Sequence, residues 1–175
     1  YEQAANLKRH ILHKIFEAFL ARHWQDGQEK SPRRRAFEDY IEREGGMLER
    51  FAVFCALEEH LRNAAGAETW RDWPEEFRRP DTDAVRRFAR ENWRDVLYYK
   101  YEQWQIAEQL GQVEALTREQ GMTVGLYGDL ALGTDPAGAD YWAYRDYLVP
   151  AATVGAPPDP LSPEGQDWAF CPPDM

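Results

Sequence analysis

Cysteine is close to absent: the 175 residues hold two, Cys55 and Cys171, in unlike contexts and without metal-type spacing. That argues against a disulfide framework and against a zinc site. Histidine is sparse as well. Of the four, His10, His13, His23 and His60, only the first two are closely spaced, on a segment whose opposite face is apolar, so a solvated location is expected. Positive charge is in deficit, with 21 Lys and Arg against 31 Asp and Glu, a net charge of -10 and a pI near 4.9. A phosphate backbone would be repelled over most of such a surface, which excludes nucleic acid as the expected partner. The one dense basic run, Arg33 to Arg35, follows Ser31 and Pro32 and reads as a solvated helix face. No apolar run approaches the roughly 20 residues that span a bilayer. No secretory leader pattern opens the chain either, so no membrane partner and a reducing, cytoplasmic compartment are expected. Gly-rich phosphate loops, nucleophile elbows and zinc motifs are also missing.

What the chain does have is 14% aromatic and 43% hydrophobic residues, enough for an ordinary core. Leu7, Ile11, Leu12, Ile15, Phe16, Phe19 and Leu20 form one apolar stripe, predicting a helix from about Glu2 to Trp24. Ser31 as N-cap and Pro32 at the first helical position predict a second, with Phe37, Tyr40 and Ile41 inward and Gly45-Gly46 as its stop. A third follows at once, lined by Leu48, Phe51, Ala52, Cys55 and Leu61. Asp81 or Thr82 caps the next, where Val85, Phe88 and Ala89 repeat at helical spacing. Beyond Asn92, Leu97, Tyr101, Trp104 and Ala107 occupy one face and Ile106, Leu110, Val113 and Leu116 another, so this helix is expected to be buried between layers until Gly121 ends it.

The periodicity then changes. Thr123 to Leu130 is a short apolar run after a helix and a glycine, the pattern of a buried parallel strand whose neighbours this chain does not supply. A short aromatic helix over 139–148 and a proline-rich ordered surface loop over 150–175 follow. Tyr1 opening inside a helix and Met175 closing a Cys-Pro-Pro-Asp-Met stretch make an internal piece of a longer protein the expectation.

Few residues stand out as chemistry-bearing. Asp129 falls at the carboxyl end of the expected strand, the edge where parallel α/β folds bind ligands, although an Asp that merely caps the next loop competes with that reading. Gln166 with Trp168 sets an amide beside an aromatic face, a pairing suited to a sugar's hydroxyls and apolar face; packed core is the commoner fate of Trp. Asp159, behind Pro157 and Pro158, could accept from hydroxyls on a stiff loop or cap an Asx-turn. Glu102, Glu108 and Glu114 drift around their helix at six-residue spacing and read as polar-face residues.

Gly125-Leu-Tyr-Gly-Asp-Leu-Ala-Leu-Gly133, with Asp135-Pro-Ala-Gly-Ala-Asp-Tyr-Trp142 behind it, resembles the amylomaltase (disproportionating enzyme) family of 4-α-glucanotransferases. Val154-Gly-Ala-Pro-Pro-Asp159 and Gly165-Gln-Asp-Trp168 are similar to its Gly-x-Pro-Pro-Asp lid loop and Gly-Gln-x-Trp motif, in the same order. The Tyr99 to Leu110 stretch resembles the family helix before the third barrel strand, and the N-terminal helices resemble the family's helical insertion in character. The resemblance implies a mainly α chain: a helical insertion over 1–92, then over 93–175 a flanking helix, strand 3 and lid loop of a (β/α)8 TIM barrel. It also implies a parent transferase of carbohydrate metabolism that moves α-1,4-glucan segments between maltooligosaccharides by a retaining double displacement, without metal or other cofactor. Asp129 corresponds to an acid at the end of the third strand, Pro157, Pro158 and Asp159 to the lid loop, and Gln166 and Trp168 to glucan-contacting positions. The catalytic carboxylates of the family lie downstream, so none is expected in this chain, and the piece alone is expected to be inactive and free to self-associate. Two departures are visible: Gly128 stands where many bacterial relatives have Arg, and Ala169 where Gly is usual. Two rivals remain open at this point, a self-contained helical interaction or regulatory protein and a complete hydrolase using Asp129 with a Glu.

Overall fold

The computed structural model describes residues 2–25, 29–129, 131 and 133–174. Five α-helices carry most of the regular structure there: α1 (Glu2–His23), α2 (Pro32–Ala65), α3 (Asp83–Glu91), α4 (Trp93–Glu119) and α5 (Ala139–Tyr144). Two 3-10 turns, Glu75–Phe77 and Arg145–Tyr147, and two short strands, β1 (Gly155–Ala156) and β2 (Gln166–Asp167), complete the order. The chain divides into two compact units, 1–52 with 92–128 and 53–91 with 129–175.

The first unit is built on rings. Phe16 and Phe19 of α1, Phe37 of α2 and Tyr98, Tyr101 and Trp104 of α4 form one buried cluster. Phe37 stacks on Trp104 at 5.0 Å, and Phe19 meets Tyr101 at 4.9 Å. Each such side chain contributes roughly 1.5–3 kcal/mol by leaving water, so this cluster, rather than helix propensity, holds the three helices. α2 starts as its sequence predicts: the Arg34 N–H donates to Ser31 Oγ at 3.2 Å, with Pro32 opening the helix. Gly45 interrupts the helical path, as its sequence predicts, and a second helical stretch follows at once. The residue takes φ 56° and ψ -133°, a kink, and helix continues to Ala65. The basic run before it is less solvated than expected. The Arg33 guanidinium lies 3.9 Å from the Trp104 ring centre and pairs with Glu108 at 2.6 Å, while Arg34 covers Trp24 at 4.5 Å.

α4 corrects another expectation. Its Val96, Leu97, Tyr98, Tyr101 and Trp104 face is buried, but Ile106, Leu110, Val113 and Leu116 are 45–55% exposed. The second layer that this face calls for is not among the described residues. The expected strand over 123–130 is likewise not formed. Residues 123–129 have no regular structure, and Val124 and Tyr127 are 76% and 89% exposed; Leu130 lies outside the described residues. The cause is the same in both places, because a parallel strand cannot satisfy its backbone without neighbours on the sheet. The turn ahead of it does form, with Gly121 at φ 70° and the Met122 N–H donating to Thr117 O.

The second unit packs Phe54 of α2, Trp73 and Trp142 of α5 against one another, with ring centres 5.3–6.2 Å apart. Thr82 is the cap of α3, its Oγ1 accepting from the Val85 N–H. The sheet is a two-residue antiparallel pair in which Gly155 faces Asp167 and Ala156 faces Gln166, so the proline-rich tail carries more regular structure than its sequence suggests.

Candidate glucan-contacting hairpin

The loop leading to the hairpin is fixed by indoles. Trp70 Nε1 and an Arg71 guanidinium N–H both donate to the Pro136 carbonyl, at 3.1 and 2.8 Å, and Trp142 Nε1 donates to Phe77 O at 2.8 Å. Within the loop, Asp135 Oδ1 accepts from the Ala137 N–H and the Asp135 carbonyl from Gly138. The Asp-Pro-Ala-Gly run and the Trp that follows α5's start are therefore a turn and its anchor.

From Leu148 to Pro173 the chain folds back on itself. Val149 N–H donates to Pro172 O, Val154 N–H to Phe170 O and Trp168 N–H to Val154 O, each at 2.9 Å. Two glycines permit this. A Cβ on Gly155 would stand 1.9 Å from the Gln166 carbonyl oxygen, and Gly165, at φ 78°, would place one 2.7 Å from Ala156 O. Pro157, Pro158 and Asp159 form the exposed connection between the strands. Asp159 Oδ1 accepts from the Leu161 and Ser162 N–H groups at 2.8 and 2.7 Å, so the Asx-turn reading of this residue is realised.

Gln166 and Trp168 meet across one intervening residue. Trp168 Nε1 donates to Gln166 Oε1 at 2.9 Å, leaving the amide nitrogen of Gln166 for another partner, and the indole is 42% exposed. Its ring stacks beside Phe170 at 6.2 Å with 30° between the planes. Pro157, Pro158 and Asp159 thus share one hairpin with Gln166 and Trp168. Asp129 is exposed and lies outside that hairpin, in the stretch that lacks a strand partner. Gly128 beside it has open space where a Cβ would stand.

Sequence reasoning marked Ala169 only as a departure from the motif and gave no role to Asp167 or Phe170. The available signal was the second ring, Phe170, two residues after Trp168. Two open clefts, of about 310 Å³ beside Glu17, Trp24 and Trp93 and about 360 Å³ beside Leu61, Glu68 and Asp72, include none of the candidate residues. Glu102, Glu108 and Glu114 of α4 each have an ordinary structural partner: Glu102 accepts from Tyr98, Glu108 from Arg33 and Glu114 from Arg118.

The profile of glycoside hydrolase family 77, described as 4-alpha-glucanotransferase, matches residues 1–175. The chain belongs to this family. Among curated glucanotransferases, that of Mycobacterium tuberculosis is 38% identical over 137 residues, covering 78% of this chain and 18% of the relative. That of Haemophilus influenzae is 30% identical over 176 residues, covering 98% and 25%. The amylomaltase of Corynebacterium glutamicum superposes with a TM-score of 0.66 at 31% identity, over 95% of this chain and 20% of that one. An amylomaltase from Streptococcus agalactiae, in complex with acarbose, shares the fold with a TM-score of 0.76 at 20% identity, over 97% and 32%. The chain therefore spans about a fifth to a third of the glucanotransferases it matches. A self-contained helical interaction protein is not favoured by these likenesses. Among the described residues no helix is long and apolar enough to cross a membrane, and no cluster of His, Cys, Asp or Glu could hold a metal ion.

Proposed function

We propose that this chain is the part of a 4-α-glucanotransferase that supplies glucan contacts, while the reactive carboxylates stand on later elements of the parent. The observation that carries the reading is Trp168: a partly exposed indole on a backbone-locked hairpin, with its N–H fixed by Gln166. An aromatic face held next to amide and carboxylate groups suits a sugar ring, whose C–H face stacks while its hydroxyls are bonded. The relatives' shared name and the acarbose held by the Streptococcus agalactiae amylomaltase support a ligand of glucan type.

In this reading residues 1–92 are a helical insertion and 93–175 a segment of a cytoplasmic TIM-barrel enzyme. The exposed α4 face and the 123–130 run meet the rest of the barrel, and Asp129 reaches the glucan from its strand end. Pro157, Pro158 and Asp159 close over the bound chain. The parent's nucleophilic carboxylate attacks the anomeric carbon as a second carboxyl protonates the leaving glycosidic oxygen. A glucan hydroxyl, deprotonated by that second group, then breaks the glycosyl-enzyme ester. Neither group belongs to this chain, so it does not turn over glucan alone.

The test compares the 175-residue chain with the parent reading frame on maltotriose. Glucose and longer maltooligosaccharides should appear with the parent only, and parent turnover should fall at least tenfold in Trp168→Ala. Turnover by the 175-residue chain that vanishes in Asp129→Asn would replace this reading with that of a complete hydrolase. A parent inert on maltotriose would end both.

A further inference from the structure

Ala169 is the one non-glycine among the described residues with a positive φ, 59°. A Cβ crowds the following carbonyl in that region, and such a conformation persists only where its surroundings impose it. Here two kinds of contact impose it. The Ala169 N–H donates to Asp167 Oδ1 at 2.8 Å, closing a local turn. The backbone on either side is pinned to one residue, since the Trp168 N–H donates to Val154 O while the Val154 N–H reaches past to Phe170 O. In a regular antiparallel pair both bonds of Val154 would go to a single opposite residue, so the strand bulges at Ala169. The far side is seated too: a Cβ on Gly133 would stand 2.5 Å from the Phe170 ring, which therefore lies directly against the Gly133 backbone.

The bulge has a geometric product. It sets Trp168 and Phe170 with their rings side by side, and it leaves Trp168 Nε1 within reach of Gln166 Oε1. The carboxyl of Asp167 is held below its ordinary range, first by the Ala169 N–H and then by the Thr153 hydroxyl, which marks the ionised form as the one the turn uses.

We infer that the Asp167–Ala169 bulge is a positioning device for the Trp168 indole. Asp167 acts through the backbone of Ala169 and not by touching the ligand. The inference rests on the glucan reading for the identity of that ligand, but the positioning itself does not. It makes Asp167, at the variable position of the Gly-Gln-x-Trp motif, a determinant of how the indole is presented.

The experiment uses the whole chain and the indole N–H resonance of Trp168, identified by its disappearance in Trp168→Phe. Asp167→Ala should move that resonance and speed its solvent exchange about tenfold, the size of one lost charge-assisted hydrogen bond. Asp167→Asn, which keeps an Oδ1 acceptor, should restore both. A role confined to stability would lower the unfolding midpoint of Asp167→Ala while leaving the indole resonance of the folded protein in place, and that result would overturn the inference. Failure of Asn to restore the resonance would overturn it equally. Maltotriose added to each variant separates the two readings: an indole that responds to Asp167→Ala but not to the sugar upholds the positioning and removes the glucan assignment.

Discussion

The helical unit of 1–52 with 92–128 is held by side chains, whereas the Leu148–Pro173 hairpin is held by its own backbone. In the first, Phe19, Phe37, Tyr101 and Trp104 interlock with little reference to main-chain geometry beyond the helices themselves. In the second, the order comes from cross-strand bonds at Val149, Val154 and Trp168 and from glycines that allow the strands to touch. The difference teaches where each region is vulnerable. A ring cluster fails by volume lost, and a backbone-locked turn fails by volume added.

Three measurements would break or sharpen that contrast. The largest effect is expected from Trp104→Ala, which removes a buried ring from the centre of the cluster and should cost about 3–5 kcal/mol, read as a lowered urea midpoint by far-UV circular dichroism. A loss under about 1 kcal/mol would mean the rings are not what holds the helices. Next comes Gly155→Ala, whose new methyl group would collide with Gln166 O. A local cost of about 1–3 kcal/mol should appear as faster amide exchange at Val154 and Trp168 with helical content unchanged. Unaltered exchange there would show that the hairpin is not close-packed at its backbone. The smallest effect concerns pH. The Asp167 carboxyl is held below its ordinary 3.8 by the Ala169 N–H and then the Thr153 hydroxyl, so its contribution is complete above that ordinary value and disappears as pH falls through the lowered one. Carboxyl carbon shifts of Asp167 followed in acid should give a midpoint under 3.8, and a midpoint at or above it would contradict the bond.

Most of the helical structure was legible because its signals are local. The Ser31-Pro32 start, the Thr82 cap and the Gly121 end all form as the residue types demand. The misreadings share a cause. Val124, Leu126 and Tyr127 have strand character, and Ile106, Leu110, Val113 and Leu116 make an apolar face, but a strand and a layer exist only through partners. In the candidate site, the motif residues were legible by resemblance. The pairing of the Gln166 amide with Trp168 was legible from their spacing, whereas the strained turn at Ala169 was not, since it follows from how 168–170 bond to Val154.

By itself, the sequence determined the helices, their caps, the aromatic core residues and family membership, because periodicity, capping chemistry and motif order are written in neighbouring residues. Only the tertiary structure decided that Arg33 covers Trp104, that the proline-rich tail pairs with itself, and that an alanine takes a glycine's conformation beside Trp168. Each of those joins residues through space or fixes a backbone angle by distant hydrogen bonds, and neither kind of information resides in any local stretch of chain.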